Sequence, residues 1–228
     1  MSFLENRKLA PNEFSFECWG NRALFCDPRQ KQADVGATLM IPPSSAIAGL
    51  ARNIRCEPGV ILEPIAVRVM NRIQMGSITT RGIRINSNSP KLLTETYLKD
   101  VRYQVLCRFV WDRTRPEFSG EWNTGKWNAM INRHIEQGTR RHTYFGRADY
   151  PAFIKPCAFG EGEGYYDDTE EIVFSNTSYG IIFPEYTKDN KRRTCFYDAH
   201  MKNGVIVYPD VNGNQVHQFI LQDGSIPA

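Results

Sequence analysis

The chain reads as an α+β protein: a ferredoxin-like βαββαβ unit carrying an inserted β-hairpin, followed by a small C-terminal antiparallel β subdomain. Three observations predict this. Apolar and polar residues alternate over 14–20 and 97–111, the period of half-buried strands. Apolar residues recur at helical spacing over 45–56 and 126–137. After residue 150 the pattern changes to short apolar runs separated by turn residues. On this reading residues 1–150 form the first domain, with a hairpin at about 76–96, and residues 151–228 the second.

Taken in order, FSFECWG at 14–20 ends at a glycine and is the first strand. Residues 24–40 contain Asp27-Pro28 and a polar run, so they form a loop that re-enters at LMIP. Pro42-Pro43-Ser44-Ser45 starts a helix whose core face is Ala46, Ile47, Leu50, Ala51 and Ile54, and Pro58 stops it. The β-branched stretch 60–75 follows, with Arg68 and Arg72 on one face and Val67, Val69 and Ile73 packing on the other. Short Ile/Thr pieces over 76–96, broken by Gly76, Gly82 and an Asn/Ser/Pro cluster, make the hairpin. Over 97–111, Val101, Tyr103, Val105, Cys107 and Phe109 face one way, while Arg102, Gln104 and Arg108 face the other. The second helix buries Trp127, Met130, Ile131 and Ile135 and ends at Gly138. The runs EIVFS, YGIIF, RTCFYD and GVIVYPD then supply the appended sheet.

With 228 residues, 41% of them hydrophobic, the chain can bury a core. It has no run of about eighteen apolar residues, and MSFLENRKLAPNEF carries charges where a signal peptide would be apolar. The expectation is a soluble, cytoplasmic protein without a membrane partner. Six cysteines at 18, 26, 56, 107, 157 and 195 form no CxxC pair and read as reduced core residues rather than a zinc site. The net charge of +3 hides an asymmetry: residues 68–147 hold fifteen Lys/Arg against six Asp/Glu, whereas residues 148–228 hold six against twelve. A basic middle in a nearly neutral chain is the footprint of a polyanion.

The stretch WNTGKWNAMINRHIEQGTRRHTYFGR at 122–147 concentrates that charge. A phosphate at the helix start would meet backbone N–H groups, the positive end of the helix dipole and Lys126, with Arg133, Arg140 and Arg141 beyond. The alternative is a solvated basic helix. His134 and His142 are candidate general bases for attack on a phosphodiester. Acids do not cluster in the basic segment, so no metal site and no cofactor is expected, and any cleavage would be metal-independent. The glycine-rich FGEGEGYYDD at 159–168 lacks the strand–turn–helix setting of a dinucleotide fingerprint and reads as a turn letting backbone approach a neighbour, with Tyr165 or Tyr166 stacking on a base as the other use.

Several stretches in order resemble a known family: FECWGNRALFCDP, RVMNRIQ, TYLKDVRYQV, Arg115-Pro116, GTRRHTYFG and KPCAFGEGEGYYD. They are similar to the CRISPR-associated Cas-five family, subtype I-C (Dvulg) branch. The resemblance implies a ferredoxin-like RNA-binding fold and a metal-independent endoribonuclease that cuts CRISPR repeat transcripts by 2′-hydroxyl attack. It implies a protein that then caps the 5′ end of the guide RNA within Cascade. The implied partners are repeat or guide RNA, the backbone and large subunits, and target DNA reached through the complex. The branch's catalytic tyrosine falls on Arg55, its lysine on Lys126 and its histidine on Trp127. Lys126, Arg55 and His134 are therefore the candidate catalytic residues. Trp127, Arg133, Arg140, Arg141, His142, Arg68 and Arg72 are the candidate RNA contacts.

Two functions remain open at this point: a nuclease that recruits a histidine as base, or a non-catalytic cap whose precursor RNA another enzyme cuts. A generic RNA-recognition domain is disfavoured, because the chain lacks the aromatic string such a domain uses.

Overall fold

The structure, a computed structural model, describes residues 8–27, 35–83, 90–182, 193–209 and 217–220. Strand β1 (Glu13–Ala23) leads through the two-residue β2 (Val35–Gly36) to helix α1 (Ser44–Ile54) and strand β3 (Val60–Val69). Then come β4 (Gln74–Ile83), the long β5 (Pro90–Trp111), a 3-10 turn (Pro116–Glu121), α2 (Thr124–Gln137) and β6 (Phe153–Pro156). Strands β7 (Ile172–Ile182), β8 (Arg193–Lys202), β9 (Val205–Val207) and β10 (His217–Ile220) complete the described residues.

Pairing makes β3-β5-β1-β6 the central order, every neighbour antiparallel. This is the order of a βαββαβ unit in which β1, β3, β5 and β6 are the four strands and α1 and α2 the two crossovers. The ferredoxin-like expectation holds. The inserted hairpin is β4 paired with the first half of β5, from Gln74 opposite Lys99 to Ile83 opposite Pro90. Its expected tip falls outside the described residues. Strands β7, β8 and β9 form the expected antiparallel run, and β9 joins it to β3 through Ala66–Val207 and its neighbours, so one sheet continues through both parts.

The core lies between this sheet and the two helices. Phe14, Phe16 and Cys18 from β1 and Val101, Tyr103, Val105, Cys107 and Phe109 from β5 point into it, the alternation expected from sequence. Helix α1 contributes Ile47, Leu50, Ala51 and Ile54, and α2 contributes Trp127, Ile131 and Ile135. Burial raises the thiols of Cys18 and Cys107 and the phenol of Tyr103 well above their usual ranges, so these groups are neutral packing elements. Of the six cysteines only Cys18, Cys107 and Cys195 are buried, while Cys26 and Cys56 are exposed, so the expectation of core cysteines holds in part. A cysteine's small size lets it sit on turns as readily as in cores, and spacing alone does not separate the two.

The opposite face of the sheet is partly covered by residues 157–168. Arg68, 2% exposed, is the anchor. It donates to the carbonyls of Glu161 (3.3 Å) and Gly162 (2.9 Å), to Gln104 Oε1 (3.2 Å) and to both oxygens of Asp167 (2.8 and 2.7 Å). Gln104 Nε2 donates to the Glu161 carbonyl, and the Gly160 N–H donates to Gln104 Oε1. Gly160 and Gly162 sit at φ +96° and +74°, which carries both carbonyls down onto the guanidinium. The glycine-rich segment is thus a turn built for close backbone approach. Arg68 lies beneath it and is not a surface contact for RNA.

Candidate nucleic-acid interface

Asn123 caps α2: its side chain accepts a hydrogen bond from the Lys126 N–H at 2.9 Å. The Lys126 ammonium pairs with the Glu121 carboxylate, and that hydrogen bond holds Glu121 below the usual carboxylate range. Two of the donors that the sequence offers to a phosphate at this helix start, the Lys126 N–H and its ammonium, are therefore engaged within the protein. Trp127 is 3% exposed, packs against Phe109 and Trp111 and donates its Nε1–H to the Glu121 carbonyl at 3.2 Å. It is core, as its helical spacing predicts, and is not exposed as the RNA contact it was also expected to be. Its place on the apolar stripe with Ile131 and Ile135 is the physical reason.

At the other end of α2 the chain turns at Gly138 and hydrogen-bonds to the end of α1. The Arg140 N–H donates to the Ile54 carbonyl (3.2 Å) and the Arg141 N–H to the Asn53 carbonyl (3.0 Å). These two bonds satisfy carbonyls that a helix end otherwise leaves open. They also bring Arg140 beside Arg55, which leaves α1 in an extended conformation. Both guanidiniums converge on one oxygen, Oε1 of Glu57, with Arg55 Nη2 at 2.7 Å. The Arg55 Nε is a buried donor without a hydrogen-bond partner among the described residues. Arg141 and His142 are exposed on the same turn, and the His142 ring lies 6.5 Å from that of Tyr144.

The candidate catalytic residues are consequently divided. Lys126 lies eleven residues before the last residue of α2, about 16 Å along the axis, whereas Arg55 is joined to the turn beyond that helix. His134 is partly buried, and its Nδ1 lies 2.7 Å from the Met130 carbonyl, a contact within its own helix. Arg133 is exposed, bonded through Nε to Gln137 at 3.0 Å. Arg72 is exposed past the end of β3. Among the described residues no group of three or more His, Cys, Asp or Glu side chains converges as a metal site would. No helix among them is long and apolar enough to cross a membrane.

Sequence reasoning located Arg55, Arg140, Arg141 and His142 but missed Glu57, the carboxylate that gathers the first two. The RCEP step, with an acid two residues past Arg55, was the available signal. It also missed Asn123 as a cap, although an asparagine ahead of a helical run is a start signal.

Two solved structures share this fold. One, a CRISPR-associated protein, superposes with a TM-score of 0.72 at 23% identity, covering 90% of this chain and 96% of that one. The other, a functionally uncharacterized protein from Streptococcus mutans, gives 0.73 at 22% identity over the same shares. No curated protein sequence matches the chain. The family model of CRISPR-associated protein (Cas_Cas5) matches residues 14–209, which span the central unit and strands β7 to β9. The chain belongs to the CRISPR-associated Cas5 family, of the I-C (Cas5d) type.

Proposed function

We propose that this chain is the Cascade subunit that holds the repeat-derived 5′ handle of the guide RNA, gripping its backbone at the turn where α2 returns to α1. The observation that carries this reading is the convergence of Arg55 and Arg140 on Glu57 with Arg141 exposed beside them. Three guanidiniums against one carboxylate leave a net positive corner, held rigid by two backbone hydrogen bonds. Planar guanidiniums suit phosphate oxygens because they donate two parallel hydrogen bonds. Binding without cleavage is favoured by the setting of Lys126. The residue after it is buried, and its own ammonium is held by Glu121.

A second reading keeps the nuclease and moves it. His142 is exposed on the same turn as Arg140 and Arg141, so an imidazole and two cations lie within one loop, the combination that 2′-hydroxyl attack needs.

The test incubates the full chain with labelled RNA carrying the CRISPR repeat of its own genome, in EDTA, and follows binding by anisotropy and product ends by gel. Tight binding with no cyclic-phosphate product supports the cap. Cleavage abolished by His142→Ala but not by Lys126→Ala supports the second reading. Absence of binding overturns both.

A further inference from the structure

The covering loop leaves one window of the sheet's outer face open. There, three residues lie opposite one another across three strands: Phe153 on β6, Trp19 on β1 and Arg102 on β5. The adjacent row is Lys155, Glu17 and Gln104. The Trp19 and Phe153 rings stack with centroids 5.8 Å apart and planes 29° from parallel. Phe153 is 55% exposed, an unusual amount for a phenylalanine already paired with a tryptophan. Lys155 Nζ lies 5.6 Å from the Trp19 ring centre. Trp19, Arg102 and Lys155 border a shallow cleft of about 300 Å³, also lined by Asn21, Asn71 and Asp100, and Phe153 stacks beside it on Trp19.

The charges are arranged around one carboxylate. Glu17, 3% exposed, accepts from Arg102 Nε (3.0 Å) and Nη2 (2.9 Å), and Lys155 Nζ lies 3.0 Å from it. Two cations against one buried anion leave a positive charge in excess, and the Arg102 and Lys155 side chains remain 40% and 50% exposed. Asp100 repels an anion from its part of the cleft, so a phosphate is favoured on the Lys155 side.

We propose that Trp19, Phe153, Arg102 and Lys155 form a stacking platform for one base of single-stranded RNA, with its phosphate on Lys155 and Arg102. The inference rests on the RNA-binding reading above and adds to it a second contact point, carried by different strands from the Arg55–Arg140 corner. Stacking on an aromatic ring tolerates any base, because every base presents a π-face. A platform of this kind supplies affinity while leaving sequence choice to other contacts.

The experiment uses the full chain and a fluorescein-labelled single-stranded RNA carrying the CRISPR repeat, read by anisotropy at several salt concentrations. Phe153→Ala weakens binding on the order of ten-fold with the salt slope unchanged, because the lost contact is stacking, and Phe153→Trp restores it. Lys155→Ala lowers the slope by about one. Ultraviolet irradiation of the wild-type complex places the RNA adduct on the peptide containing Phe153 or Trp19, a readout that needs no variant. If Phe153→Ala binds like wild type while Arg140→Ala with Arg141→Ala is weakened, the platform is wrong and the RNA-binding reading stands. If wild type binds no RNA, both fall. If Phe153→Ala keeps RNA affinity but loses a co-expressed Cascade subunit, the surface is a protein interface and the proposal is overturned.

Discussion

The Arg68 guanidinium, 3% exposed, meets the Asp167 carboxylate at 2.7 Å across the glycine-rich turn that closes over the sheet. Burial alone would raise the Asp167 carboxyl. The hydrogen bonds from Arg68 and from the Gly164 N–H outweigh it and hold the group below its usual range. Arg68→Met removes one partner of a buried pair and frees two carbonyls, so it destabilises the protein by about 3 kcal/mol. Asp167→Asn is also destabilising, because it leaves the Arg68 guanidinium, 3% exposed, without its counter-charge. Urea denaturation followed by circular dichroism measures both.

Trp127→Ala lowers stability by about 3–5 kcal/mol, the range for truncating a buried aromatic. The loss comes from packing against Phe109 and Trp111, so any RNA affinity of the folded fraction is unchanged. A variant that keeps its melting temperature yet loses RNA contradicts this assignment of the residue to the core.

Gly146→Ala prevents folding. Gly146 sits at φ +83°, and a Cβ there would lie 1.8 Å from the Leu24 carbonyl oxygen, which is backbone and cannot move aside. The expected result is insoluble protein, whereas Gly120→Ala, at a site with open space around it, gives soluble protein. Expression followed by size-exclusion chromatography compares them.

The Glu17 carboxyl gives a pH dependence. Its burial acts to raise it, but hydrogen bonds from Arg102 and Lys155, with their charges, leave it below its ordinary value of 4.5. A carboxyl depressed in the folded state contributes stability that is complete above the unfolded value and is lost as pH falls through the folded one. The urea midpoint therefore drops below about pH 4.5. Glu17→Gln flattens that part of the curve and lowers the plateau above it. A wild-type midpoint unchanged down to pH 3 contradicts the pairing.

Arg140→Ala combined with Arg141→Ala weakens repeat-RNA binding and reduces its salt slope by about two, one for each phosphate contact removed. Filter binding between low and moderate salt measures it. An unchanged slope removes this corner from the interface.

The alternation of β1 and β5 and the apolar stripes of α1 and α2 were legible because each is a local period, and the core follows them residue by residue. The site was legible only in part. Arg55, Arg140 and Arg141 stood out as charges, but their convergence on Glu57 depends on backbone bonds from 140–141 to the end of α1, a long-range contact that no local pattern encodes. Trp127 was read twice, as core from its helical spacing with Ile131 and Ile135 and as an RNA contact from its family position, and burial bears out the first. Arg68 was assigned to the surface because alternation distinguishes two faces of a strand without saying that a loop will cover the second one.

Strand β5 pairs with β1, β3, β4 and β2, so it is the member on which the sheet converges. During synthesis the apolar β1 emerges first, yet its Glu13 end pairs with Arg108, which leaves the ribosome some ninety-five residues later. At about 5–20 residues per second that interval lasts several seconds. Through that time β1 carries Phe14, Phe16 and Cys18 with no strand to receive them. Folding of the central sheet is thus gated by the arrival of β5, and the nascent chain is most exposed to aggregation and to chaperones in the interval before Trp111 appears.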